Sequence, residues 1–101
     1  MEIIICDDNL SERSLMIDYI LKWASEKHLE IQINTCKDWM ELAAALEGRE
    51  WDIVIVSLDG VRGLDTASSA QPLSRRLIWI SDLDFGVQAY RMCVSYFFMK
   101  P

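Results

Sequence analysis

Short apolar runs, separated by longer segments with helical periodicity, constrain the fold of this chain more than any other feature. They predict strands at Glu2–Cys6, Asp52–Val56, Leu77–Ile80 and Tyr96–Met99, and Ile31–Cys36 alternates like a strand with one less buried face. Continuous apolar character is typical of parallel strands that are covered on both faces. Because strands alternate with helices, the sequence predicts an α/β fold with a doubly wound, five-stranded parallel sheet.

The segments between these strands predict four helices of unequal strength. They are expected at about Ser11–Lys27, from Asp38 to Gly48, at Gly63–Ser74 and at Leu83–Met92. Asp38 and Glu41 form a capping-box-like pair at the start of the second helix. Two serines and Pro72 predict that the third helix is short or frayed.

The composition limits the classes of function. With 101 residues, of which 51% are hydrophobic, the chain is expected to form one domain, 1–101, with a real core. A net charge of −6 argues against direct nucleic-acid binding, which relies on Lys and Arg to neutralise phosphates. The longest apolar run is far shorter than the ~20 residues of a membrane span. No basic segment precedes the first apolar run, so a signal peptide is not predicted either.

The cysteines bear on the cellular compartment. Cys6, Cys36 and Cys93 are odd in number, lie in or next to apolar runs and lack C-x-x-C spacing. They predict reduced, buried thiols rather than a disulfide framework or a zinc site. We therefore expect a cytoplasmic protein.

Polar residues stand at the carboxyl ends of the predicted strands. Asp7 and Asp8 follow the first strand, Ser57 the third, Ser81 the fourth and Lys100 the fifth. In open parallel sheets, binding sites form at this edge, where the strand order reverses. The sequence therefore predicts that these residues share one site.

This pattern resembles the receiver domains of response regulators in bacterial two-component signalling. The resemblance rests on the Asp7-Asp8 pair, Ser57, Ser81 and Lys100-Pro101, and it covers nearly the whole chain. It implies the flavodoxin-like receiver fold, here without the last helix. The segment Tyr90–Pro101 looks like the receivers attached to LytTR-type DNA-binding domains, which implies such a domain outside this chain.

The resemblance implies that the phosphoryl-accepting residue has changed. Ser57 matches the aspartate that accepts the phosphoryl group, and Asp7 and Asp8 match the acids that hold Mg²⁺ together with that aspartate. A serine hydroxyl cannot form an acyl phosphate, and it removes one anionic ligand. We therefore expect at most weak Mg²⁺ binding.

The resemblance also implies three switch and phosphate-contact positions. Ser81 matches the Ser or Thr that hydrogen-bonds the phosphoryl oxygen. Lys100 matches the lysine that pairs with the acid cluster. Phe97 matches the aromatic residue that rotates inward on activation, and its ring has no hydroxyl.

Two alternatives concern the site. Asp59 could be the acceptor, although Ser57 has the family's spacing from Asp52, and Asp59 would leave a very short loop before Gly63, which resembles the start of the helix. Asp7 and Asp8 could instead only cap the first helix, with Lys100 neutralising their charges.

The sequence therefore predicts an atypical receiver that is not an enzyme and that signals by contact with another protein. No membrane span is predicted. The expected partner is another protein or a second copy, because a sheet without its last helix would leave an apolar patch beside its first and last strands. The contact is expected through the fourth helix and fifth strand. The alternatives are a receiver that is phosphorylated on Asp59 with Mg²⁺, and a purely structural interaction domain.

Overall fold

The computed structural model describes all residues, 1–101, and contains one five-stranded parallel sheet with four α-helices. In chain order the elements are β1 (Glu2–Cys6), α1 (Leu10–Glu26), β2 (Gln32–Cys36), α2 (Trp39–Gly48), β3 (Ile53–Val56), α3 (Gly60–Ala70), β4 (Leu77–Ser81), α4 (Gly86–Met92) and β5 (Tyr96–Met99). The strand order β2-β1-β3-β4-β5 is the flavodoxin-like one, with its switch point between β1 and β3. The predicted doubly wound parallel sheet is confirmed. None of the helices is of a length and apolar character that would let it cross a bilayer.

The core lies on both faces of the sheet, as the apolar strands require. On one face Ile3, Ile5 and Ile55 pack under α1, and on the other Trp79 is fully buried beneath α2, α3 and α4. The predicted capping of α2 is confirmed, because Asp38 Oδ1 accepts a hydrogen bond from Glu41 N over 2.9 Å.

The third helix differs from the prediction. It begins at Gly60, not at Gly63, and runs unbroken to Ala70 before a single 3₁₀ turn that contains Pro72. Gly63 lies inside the helix, where a Cβ would overlap the carbonyl group of Leu58. The helix is not frayed, because its small inner residues allow it to pack closely on the sheet.

Two further predictions are corrected near α4. The helix begins at Gly86 rather than Leu83, because the amides of Leu83 and Gly86 bond to the side chains of Ser81 and Asp84 in turns. Cys6 and Cys36 are buried as predicted, but Cys93 is exposed. It ends α4 in the left-handed conformation, with φ of 58°, at a turn on the surface.

An apolar surface is exposed on the α1 side of the sheet, beside β5. Tyr96 and Phe98 are 62% and 53% exposed, and their rings stack with centroids 6.2 Å apart. No helix follows β5 in these 101 residues. The predicted bare face is therefore present beside the last strand, but not beside the first, because α1 covers Ile3 and Ile5.

Candidate functional site

The sheet brings the five predicted polar residues to its carboxyl edge. Two backbone hydrogen bonds extend the ladders past the strand ends, from Ser57 N to the Cys6 carbonyl over 2.9 Å and from Lys100 N to the Ser81 carbonyl over 2.7 Å. Asp7 follows β1 directly, next to Ser57 after β3, at the switch point. The side chains, however, do not form one cluster.

Asp7 is a fully buried carboxylate with an incomplete set of partners. Its Oδ1 accepts a hydrogen bond from Asn9 N over 2.9 Å, whereas its Oδ2 has none. Burial raises the pKa of Asp7 above its ordinary value, and the bond from Asn9 only partly offsets this. Neither aspartate caps α1, because Asn9 accepts the capping bond from Glu12 N instead.

Ser57 is buried beside Asp7, and its hydroxyl also lacks a hydrogen-bond partner. The hydroxyl is close enough to contribute to lowering the pKa of Asp7, but Ser57 Oγ does not reach hydrogen-bonding geometry. A serine becomes a nucleophile when a positioned base takes its proton. No such base is bonded to Ser57.

Asp8 turns outward, away from this buried pair. Its Oδ2 accepts a hydrogen bond of 2.7 Å from Nη2 of Arg62, in the first turn of α3. Both side chains are exposed, so this ion pair adds little stability. It nevertheless occupies one oxygen of the second predicted metal ligand.

Lys100 is largely buried, with 13% of its side chain exposed, and its ammonium group has three oxygen partners. These are Asp59 Oδ1 at 2.6 Å, Glu12 Oε2 at 2.8 Å and the carbonyl of Ser57 at 3.0 Å. Burial alone would lower the pKa of Lys100, but the bonds to the two carboxylates outweigh it and raise the pKa.

No ion pair joins Lys100 to Asp7 or Asp8, so the expected direct pairing is not seen here, although the charge of Lys100 acts to lower the pKa of Asp7. Only three residues connect β3 to α3, and this short connection turns Asp59 back toward Lys100. The same residue precedes α3 without capping it. Asp82 takes that role, because its Oδ1 accepts a hydrogen bond from Gly60 N over 2.8 Å.

The remaining two predicted positions, Ser81 and Phe97, lie on β4 and β5. Ser81 is fully buried, and its Oγ accepts a hydrogen bond from Leu83 N over 3.1 Å. Phe97 is half-buried and points inward, in an edge contact with Trp79 at a centroid distance of 5.1 Å.

Three participating residues were missed from the sequence. Glu12 lies four residues after Asp8, and Asp82 directly follows Ser81, so their positions offered a weak signal. Arg62 offered none, because its role depends on where α3 begins.

The oxygen atoms at this site are of the type that binds a hard cation, but there are few of them. Asp7 Oδ2 and Ser57 Oγ are unpartnered buried oxygens, and Asp8 adds a carboxylate that must first leave Arg62. Mg²⁺ takes oxygen ligands and can be held by one or two carboxylates with water. No group of three or more acidic, His or Cys side chains is arranged around one point. Asp7 and Asp8 are the residues that could hold such an ion.

Comparisons with known proteins identify the fold. No protein-family model matches this chain, and no curated protein matches it. Among solved structures, it is similar to the response regulator TrrA of Thermotoga maritima, with a TM-score of 0.75 and 16% identity, covering 99% of this chain and 86% of TrrA.

Two further structures have the same fold. The receiver domain of Klebsiella pneumoniae RstA gives a TM-score of 0.75 at 14% identity, with 100% of this chain and 88% of that chain covered. An orphan response regulator of H. pylori gives 0.69 at 18% identity, with 100% and 83% covered. The chain therefore has the fold of response regulator receiver domains.

Proposed function

We propose that this chain is an atypical receiver domain of a two-component response regulator, which signals by protein contact without phosphorylation at Ser57. The main support comes from Ser57, which is buried after β3 beside Asp7 and has no base bonded to its hydroxyl. The receiver fold supports the assignment to this class. An acyl phosphate needs a carboxylate, and a serine in this position cannot supply one.

Mg²⁺ is proposed as a weak ligand. The TrrA structure is a complex with Mg²⁺-BeF, and the RstA receiver is BeF₃-activated. In this chain Asp7 and Asp8 would hold the ion, whose charge would offset that of a phosphoryl group. With serine at position 57, only two acidic ligands remain.

The output is proposed to be a contact with another protein or a second copy of this chain, in the cytoplasm, and not an enzymatic reaction. The α4–β5 side offers exposed apolar residues for it, with Val87 62% and Tyr90 85% exposed. A DNA-binding domain attached outside this chain would make the whole protein a transcriptional regulator.

The second candidate is phosphorylation of Asp59. It is favoured by the distance of 2.6 Å between Asp59 Oδ1 and Lys100 Nζ, and by the exposure of the carboxylate to a phosphodonor. It is disfavoured because Asp59 does not group with Asp7 and Asp8 around one point, so a metal held by those two acids would not also contact Asp59.

The test is incubation with Mg²⁺ and acetyl phosphate, followed by intact-mass measurement. We expect no phosphoryl adduct on the unmodified sequence and none on Asp59→Asn, the matched control. An adduct that is present in the unmodified sequence and absent from Asp59→Asn would establish the second candidate and refute the first.

A further inference from the structure

We propose that Arg62 sets the affinity of the Asp7-Asp8 pair for divalent cations, by holding the Asp8 carboxylate that a cation needs as a ligand. The guanidinium group donates to Asp8 Oδ2 over 2.7 Å, so a cation can use that oxygen only by displacing Arg62. The inference rests on the proposed function only in treating Asp7 and Asp8 as the metal-holding pair.

Arg62 lies in the first turn of α3, where the sequence of the helix itself does not favour a positive charge. A positive side chain in the first turn of a helix is opposed by the helix dipole. The first turn of α3 contains no acidic residue that would compensate it. Its compensating partner is Asp8, which the three-residue connection from β3 brings within reach.

Two buried oxygens, on Asp7 next to Asp8 in the chain and on Ser57, support a cation site here independently of Arg62. Asp7 Oδ2 and Ser57 Oγ are both buried and both lack a hydrogen-bond partner. Oxygens of this kind are the ligands of a hard cation. Lys100, the lysine whose charge acts on Asp7, does not bond to these oxygens, because its ammonium group is paired with Asp59 and Glu12. Asp8 is thus the one member of the oxygen set that another side chain withholds.

Arg62→Gln is the variant that tests this. Magnesium ion alone is titrated into the 101-residue chain at low ionic strength, and the NMR shifts of the backbone amides of Asp7, Asp8 and Ser57 give the Kd. An exposed ion pair accounts for up to about a five-fold change in an equilibrium constant. We expect the Kd for Mg²⁺ to fall by about that factor in Arg62→Gln.

Arg75→Gln is the matched control. Arg75 forms an exposed ion pair with Asp52 at the opposite edge of the sheet, with 3.9 Å between the charged atoms, so this variant makes the same change in net charge. Its Kd is expected to stay within about two-fold of the unmodified protein. In the double variant Arg62→Gln/Asp8→Asn, the gain is expected to disappear.

The proposal is overturned by an unchanged or weaker Kd in Arg62→Gln, by an equal gain in Arg75→Gln, or by a gain that persists without the Asp8 carboxylate. Since the Arg62 side chain is more than half exposed, the substitution leaves the core intact. A phosphoryl adduct on Asp59 would refute the proposed function through a different measurement and leave this comparison of Kd values valid.

Discussion

Replacing Asp7 by asparagine should stabilise this protein, although it changes a residue of the candidate site. In the folded chain Asp7 Oδ2 is buried without a partner, and the nearest cation, Lys100, bonds to other carboxylates. Asparagine has nearly the same volume. It keeps an acceptor for Asn9 N, and its amide group could donate to the unpartnered Ser57 hydroxyl.

The size of the effect follows from the cost of that oxygen. A buried polar atom without a hydrogen bond costs about 1–3 kcal/mol. We therefore expect Asp7→Asn to raise the free energy of unfolding by an amount in this range at pH 7. For a domain of this size, each kcal/mol corresponds to about 4–8 °C in Tm.

The pH dependence has a definite sign. Burial raises the pKa of Asp7 in the folded state above the unfolded value of 3.8, so the folded state keeps its proton to higher pH. The stability of the unmodified protein therefore falls as pH rises from 3.8 through the folded pKa. The advantage of Asp7→Asn should be small below that window and complete above it.

The assay is thermal unfolding followed by circular dichroism, from pH 3 to 8, with a chelator present so that no cation compensates the carboxylate. Asp8→Asn is the matched control, because the Asp8 carboxylate is exposed and paired with Arg62. We expect it to change stability by at most about 1 kcal/mol. The reasoning would be refuted if Asp7→Asn were no more stable than the unmodified protein at pH 7. It would also be refuted if the difference in unfolding free energy between the two proteins were the same at every pH.

Three further predictions concern the same edge of the sheet. Gly63→Ala should destabilise the fold by about 1–3 kcal/mol or more in urea titration, because its Cβ meets the Leu58 carbonyl. Gly48→Ala, with nothing within 4 Å of its Cβ, should be neutral or slightly stabilising, and equal effects would contradict the packing of α3. Lys100→Met should lower Tm by an amount that corresponds to about 1 kcal/mol, because it breaks two ion pairs whose carboxylates are partly exposed to water. The pKa of Lys100 is raised in the folded state, so the stability that Lys100 contributes is present below pH 10.5 and is lost only as pH rises through the folded pKa. If the difference in stability between the two proteins disappeared near neutral pH, this explanation would be wrong. Ser57→Asp should be less stable in a chelator and regain stability with Mg²⁺, by about 2.7 kcal/mol at a hundred-fold excess over Kd. No gain in Mg²⁺ affinity would show that position 57 does not face the acid pair.

The candidate site is connected by charges that join separate loops. Lys100 links the end of β5 to α1 through Glu12 and to the β3–α3 connection through Asp59. Arg62 links α3 to the loop after β1. Both cations thereby contact carboxylates at the edge where the proposed metal would bind. Of these carboxylates only Asp8 is also a proposed metal ligand, so Arg62, and not Lys100, is expected to compete with the metal ion.

The sequence predicted the elements whose patterns are local. The apolar run of Ile3–Cys6 and the similar runs that follow gave strands within a residue or two of the observed bounds. Cap residues such as Asp38 could be identified because their partners lie three residues away. The third helix was predicted, but its start was placed at Gly63 instead of Gly60 and it was expected to be short or frayed. Its stability comes from small residues packed against the sheet, which local propensity does not measure.

By itself, the sequence predicted the parallel sheet and the positions of Asp7, Asp8, Ser57, Ser81 and Lys100 at its carboxyl edge, because each strand, and the polar residue that follows it, is marked by a local pattern. Only the tertiary structure decided which of these side chains meet. The short connection after Ser57 turns Asp59 to Lys100 and brings Arg62 to Asp8. Ion pairs between residues more than forty positions apart depend on distances of a few ångströms, which the folded backbone sets and no sequence pattern records.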